Sequence, residues 1–407
     1  MRTKKNFYGK QIPIISSIFL MGVAQVAIAK TGFNPDISLI LDGRYASYSN
    51  TSSYALPGFM LGGEAGRGET GFYLGHNELT ISSTIDDMFY GKFTAAITDE
   101  NNSTVTELEE AYIETLGLDY GLTVKAGRFF SDIGYLNNRH GHSWDFVDAP
   151  LVYRGLFGDQ IIDDGVQASW VAPTNLYLKL GTELLRGGRY PAAGATDGGL
   201  GAEAYFVKVG GDVGSSHSWQ AGLSHWTADV SGRQAGVHAH GGSTATEIAT
   251  FYGTSKVTGI DFVWKWSPNG NTREQSLKIQ AEFFERKEDG RVDMVGSSPL
   301  ETTTYNGKQH GWYTQVVYQF MPRWRAGLRY DKLGSSNNGS DASVLSEAGL
   351  VTNGHTPSRS TIMIDYSRSE FSRIRLQLSQ DDSYSDSDTQ ILVQYTMSLG
   401  SHGAHKF

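Results

Sequence analysis

From Ile37 to the end of the chain, apolar and polar side chains alternate in one short segment after another. That is the period of a strand with one face against something apolar and the other against water. Ile37, Leu39, Leu41 and Tyr45 alternate with Asp42 and Arg44, and the pattern recurs at 79–85, 89–97, 122–126, 166–170, 176–184, 205–209, 219–223, 260–266, 277–283, 312–320, 324–330, 362–366, 374–378 and 391–399. At 105–116 it is ambiguous, because Glu107, Glu109, Glu110 and Glu114 occupy both faces. Counting that segment there are sixteen strands, an even number, as an antiparallel barrel with both ends on one side requires. Fourteen and eighteen stay open.

The connections alternate in length. Short ones fall at 86–87, 117–121, 173–174, 210–217, 268–272, 321–322 and 369–370, and long ones at 50–70, 131–163, 187–201, 230–255, 288–309 and 333–358. Tight turns on one side and longer loops on the other are the asymmetry of an outer-membrane barrel. Hydrocarbon cannot satisfy Arg325 or Glu183, so the charged parity is expected to face a wet interior and the apolar parity lipid. Sixteen strands are wide enough to leave an aqueous channel unless something fills it. The expected fold is therefore all-β, a transmembrane antiparallel barrel.

Composition adds an address. Arg2, Lys4, Lys5 and Lys10 precede an apolar run ending in Ala27-Ile28-Ala29, which reads as a signal peptide over 1–29 with the barrel over 30–407. The whole chain carries a formal charge of −9; removing those four basic residues leaves 30 basic against 43 acidic, or −13. Nucleic acid is thereby an unexpected partner. With no cysteine, neither a lipid-bearing cysteine nor a disulfide framework is available. The strand-like parity of the last segment reaches Phe407, an expected recognition point for barrel assembly machinery, and the surroundings expected are outer-membrane lipid and lipopolysaccharide.

Candidate chemistry gathers in 131–160, SDIGYLNNRHGHSWDFVDAPLVYRGLFGDQ, which has neither strand nor helix periodicity. Arg139, His140, His142, Asp145, Asp148 and Arg154 are its candidates to line a pore. A second feature is arginine on the polar parity of three neighbouring strands: Arg323, Arg325 and Arg329, then Arg359, then Arg373 and Arg375. Such a lining suits anions, although these groups could equally pair with loop carboxylates or with Asp331, Asp365 and Glu282. The third is the pairs His140/His142 and His238/His240, whose imidazoles suit Zn²⁺. No third or fourth ligand at convincing spacing accompanies either pair, so solvated loop histidines are the default and Zn²⁺ is the only cofactor considered. Neither a G-x-S-x-G elbow nor an H-E-x-x-H helix is present, and an enzyme is not expected.

Residues 33–49 (FNPDISLILDGRYASYS), 125–158 (KAGRFFSDIGYLNNRHGHSWDFVDAPLVYRGLFG), 163–173 (DDGVQASWVAP) and 399–407 (LGSHGAHKF) resemble a family of proteobacterial outer-membrane proteins labelled zinc-regulated outer-membrane receptor or porin. That family is similar more distantly to phosphate-selective porins. The resemblance implies a 16-stranded, trimeric porin that takes up small solutes, with its third outer loop, 131–163, folded into the lumen as the constriction. Anionic or polar solutes are the expectation. The alternative is an outer-membrane zinc-binding or uptake protein without a plug domain. A plug-carrying receptor needs 22 strands, and about seven residues separate the predicted mature start from the first strand.

Overall fold

The computed structural model describes residues 35–50, 55–62, 65–100, 103–194, 199–235, 247–384 and 386–400. The signal segment 1–29, His238, His240 and Phe407 lie outside them. The strands are β1 Asp36–Tyr48, β2 Gly71–Leu74, β3 Asn77–Thr84, β4 Phe89–Glu100, β5 Ser103–Thr115, β6 Leu122–Phe130, β7 Ile162–Val171, β8 Tyr177–Leu185 and β9 Ala202–Val213. They continue as β10 His217–Gln234, β11 Ile248–Trp266, β12 Ser276–Val295, β13 Glu301–Met321, β14 Trp324–Asn338, β15 Ser358–Ser369, β16 Ser372–Asp381 and β17 Asp388–Gly400.

β2 and β3 both pair with β1, from β3 onward each strand pairs antiparallel with the next, and β17 returns to β1 through Ser38↔Gly400 to Tyr48↔Gln390, so the sheet closes without an edge. The seventeen segments make a sixteen-stranded barrel, because β2 and β3 occupy successive stretches beside the same strand: β2 along Gly43–Ala46 and β3 along Asp36–Ile40. The break between them is held by side chains. Asn77 Oδ1 accepts the Asp42 N–H (2.9 Å), and its amide donates to the carbonyls of Gly75 (3.0 Å) and Ile97 (3.2 Å). A Cβ on Gly75 would crowd Arg44 Nε and stand 2.5 Å from Asp42 Oδ2, so a larger residue would push that ion pair aside.

Parity sorts the wall as a lipid solvent demands. Leu328 is 61% exposed beside Arg329 at 3%, and Ile260 is 56% exposed beside Asp261 at 1%. Three expected loops are shorter than the sequence suggested, the first of them 230–255, whose ends belong to β10 and β11. Much of the long loop expected at 288–309 is strand, capped only by 296–300, and β14 runs on to Asn338 before its loop begins. In these extensions inward Arg286 and Glu288 alternate with outward Lys287 and Asp289. With both faces polar, hydrophobic alternation vanishes although the strand continues.

The interior is half filled. Residues 131–161 fold inward and carry a buried helix, α1 Leu151–Phe157, which packs against β12, β13 and β14. Gly158 ends the helix in the left-handed region (φ 68°), its N–H bonding back to the Tyr153 carbonyl, the backbone conformation that glycine reaches without a Cβ penalty. Leu151, Val152, Tyr153, Leu156 and Phe157 join Phe284, Tyr313 and Leu333 of the wall and Leu56, Phe59 and Met60 of the first outer loop in one apolar core. A second helix, α2 Ala342–Glu347, adds Val344 and Leu345; Asp341 caps it, accepting from Ser343 N and Val344 N. One side of the lumen is thereby packed solid, and open space is left to the other.

Candidate channel constriction

Two wall carboxylates grip the start of the inner loop. Glu183 on β8 accepts from Ser131 Oγ (2.5 Å) and Asp132 N (2.8 Å). Glu282 on β12 accepts from Tyr135 N (2.8 Å), Leu136 N (3.1 Å), Tyr153 Oη (2.9 Å) and Tyr313 Oη (2.5 Å). Farther along, Asp148 accepts from Arg329 (2.8 Å) and Arg359 (2.7 Å), and Leu151 N donates to Asp331 (2.9 Å). Asp145 accepts from Lys278 (2.9 Å) and Arg325 (3.0 Å). Burial alone would raise the Asp148 carboxyl; the guanidinium groups of Arg359 and Arg329 overcome it and hold the group well below the usual carboxylate range. Asp145 is depressed in the same way, burial being outweighed by Lys278 and Arg325.

The arginine-bearing strands do face the lumen, but four of those arginines are engaged with acids. Arg325 and Arg375 share Asp365, and Arg329 and Arg359 share Asp148 and Asp331. Arg373 donates to the His142 carbonyl (2.7 Å), while its Nε has no hydrogen-bond partner among the described residues. Arg139 stacks over the Tyr135 ring at 4.1 Å, and Arg154 bonds the Gly66 carbonyl, tying α1 to the first outer loop. Arg323 is placed elsewhere than its parity suggested: it is exposed in the short turn after β13, at φ 72°. Pro322 cannot extend the ladder there.

Against one flank of the apolar core, where Phe157 and Trp144 reach its edge, lies a cavity of about 430 Å³. The wall contributes Arg44, Tyr48, Tyr73, Glu107 and Glu109, and the inner loop Trp144, Asp148, Arg154 and Asp159. Burial pushes the Asp159 carboxyl up to about 6 against the opposing pull of Arg154 and His76. Where the loop meets the wall beside this cavity, His140 and His142 do not wave in solvent. His140 Nδ1 is 2.9 Å from Glu78 Oε2, His140 Nε2 is 2.7 Å from Glu110 Oε2, and His142 Nδ1 is 2.9 Å from Glu78 Oε1. His76, in the kink between β2 and β3, puts Nε2 2.7 Å from Glu109 Oε1. Burial would lower the His140 pKa, yet the Glu78 and Glu110 carboxylates raise it well above the ordinary imidazole value.

A bulge builds the acid side. Thr94 pairs with Glu110 and Ala95 with Leu108, which leaves Glu109 as an extra residue, and so both Glu109 and Glu110 turn inward and are buried. Re-aiming a side chain is the usual consequence of a bulge. His76, Glu78, Glu109 and Glu110 were not among the residues singled out from sequence. The signal was the run of glutamates on both parities at 107–114, which strict alternation cannot resolve.

No protein-family model matches the chain. It is 31% identical over 417 residues, spanning 95% of its own length and 83% of the relative, to an uncharacterized protein of Aquifex aeolicus. Among solved structures, it is similar to the trimer form of OmpT, an outer-membrane protein of Vibrio cholerae (9% identity, TM-score 0.52, 90% of this chain and 99% of that one). The outer-membrane channel DcaP of Acinetobacter baumannii is a second (12%, TM-score 0.51, 91% and 99%) and OprB of Pseudomonas putida a third (9%, TM-score 0.50, 90% and 94%). At these identities the likeness establishes the fold, that of outer-membrane porin barrels.

Proposed function

The chain belongs to the same family as the uncharacterized Aquifex aeolicus protein, and from its porin-type barrel we propose that it is a passive outer-membrane channel for small polar solutes, with a preference for anions. A trimer, the form in which its Vibrio cholerae neighbour is described, is part of the same proposal. The observation that carries the anion preference is the sharing of carboxylates near the short-turn end of the lumen. Asp132 serves both Lys179 and Lys208, and Asp145 serves both Lys278 and Arg325. Lys125, Lys265 and Arg373 lie on the same inward parity; with Glu114 against Lys125 (3.4 Å) and Asp365 against Arg325 (2.6 Å) counted, these seven cations still exceed the four carboxylates they touch in ion pairs. Fixed positive charge there stands in for part of the hydration that an anion sheds in a narrow pore. The arginines seen from sequence act chiefly as anchors, and the lysines, one to a strand, supply the field.

Reversal potentials across planar bilayers under a KCl gradient are expected to show preference for chloride, and Lys179→Glu with Lys208→Glu to reduce it. A wild-type preference for potassium overturns the anion reading and leaves the channel standing. Selectivity is also expected to move with pH. As pH falls from 7 to 5, Asp159, held up near 6, gains a proton and the cavity loses a negative charge, so anion preference rises. Because His76 lines the same cavity, the Asp159→Asn variant isolates the effect: its selectivity should start higher at pH 7 and change less.

A further inference from the structure

We propose that His76, Glu78 and Glu109 form a binding site for a divalent first-row transition metal at the edge of the constriction. One ligand atom from each residue lies within 4.8 Å of the others. His76 Nε2 is 2.7 Å from Glu109 Oε1 and 3.9 Å from Glu78 Oε1. In a tetrahedral site with bonds of about 2.1 Å, ligand atoms stand roughly 3.4 Å apart, so the cluster needs shifts of about an ångström. One imidazole with two carboxylates is a borderline-hard set, suited to Zn²⁺, Mn²⁺, Fe²⁺ or Co²⁺ and unsuited to Cu⁺.

Three features point the same way. The β5 bulge turns Glu109 inward, and the Gly75–Asn77 kink carries His76 into the lumen, so two backbone irregularities converge on one point. Glu109 Oε2 is buried without a hydrogen-bond partner among the described residues, although His140 Nδ1 approaches to 3.3 Å. Finally, His76 and Glu109 line the cavity, so an ion has a path from the pore. His140, 2.9 Å from the second oxygen of Glu78, orients that ligating carboxylate as outer partners of metal sites do. A bound ion would tie the β2–β3 kink and β3 to β5 across the wall.

The test is calorimetric titration of detergent-purified, tag-free protein with Zn²⁺ in excess Mg²⁺, with Co²⁺ absorption as a second readout. One saturable site per chain is expected. His76→Ala and Glu109→Gln should each weaken it by at least about tenfold, while His225→Ala and the double variant His238→Ala/His240→Ala leave it unchanged. Circular dichroism and thermal melting establish that each variant is folded. Absence of saturable binding overturns the site, as does binding indifferent to the His76 and Glu109 changes; loss of binding in the His238/His240 variant alone would place the metal elsewhere.

Discussion

Asp148→Ala is expected to unseat the inner loop. The substitution strips the shared acid from Arg329 and Arg359, whose side chains are 1% and 0% exposed, and leaves Asp331 as their remaining carboxylate. Breaking a buried pair by removing one partner costs about 3–5 kcal/mol. In single-channel recordings the variant should show a larger and noisier current than wild type, and its unfolding midpoint in denaturant should fall. Asp148→Asn, which keeps hydrogen-bonding atoms, should lie between. An unchanged, quiet conductance would mean that the loop is held without this clamp. The clamp should also survive acid. A depressed carboxyl contributes stability that is fully present above its unfolded-state pKa, near 4, and is lost only as pH falls through the lower native value. Conductance steps at pH 4 should therefore still report a seated loop.

Glu282→Ala attacks the same loop from its other end, with a comparable or larger effect. Its carboxylate takes the backbone N–H groups of Tyr135 and Leu136 and the hydroxyls of Tyr153 and Tyr313. Two orphaned backbone donors alone cost roughly 2–6 kcal/mol, and the cavity left beside Phe284 adds to that. Glu282→Gln retains an accepting oxygen and should recover part of the loss. The measurement is denaturant unfolding in micelles alongside channel noise. If both variants unfold at the wild-type midpoint, Glu282 is not an anchor. Combined with Asp148→Ala the losses should fall short of additive, since both changes free one loop.

Most of the wall was legible because lipid imposes a rule on every second residue. Ile260 and Leu328 lie on the outward parity, Asp261 and Arg329 on the inward, and fifteen such segments needed no long-range knowledge. Legibility failed where that rule lapses. Beyond the apolar band, residues 286–289 are polar on both faces, so strand and loop look alike. At Glu109 one inserted residue resets parity, and at Gly75–His76 the strand breaks and restarts. The candidate site was only half visible for a related reason. His140, Asp145 and Asp148 stand in one stretch, but their partners Glu78, Lys278, Arg329 and Arg359 are distant in sequence, and spacing carries no information about contacts made across a lumen.

The inner loop also has a place in time. Leu151 bonds a residue 180 positions later, and Asp148 one 211 positions later, so the loop emerges long before the strands that hold it. Contacts of such separation form slowly, because chain entropy is surrendered before they give anything back. The barrel shuts when β17 meets β1, and α1 is tied inside it to β12, β13 and β14 and, through Arg154, to the first outer loop. A loop held by strands this far apart in sequence is expected to dock as the sheet curls, so that weakening its anchors should slow closure of the seam as well as loosen the finished pore.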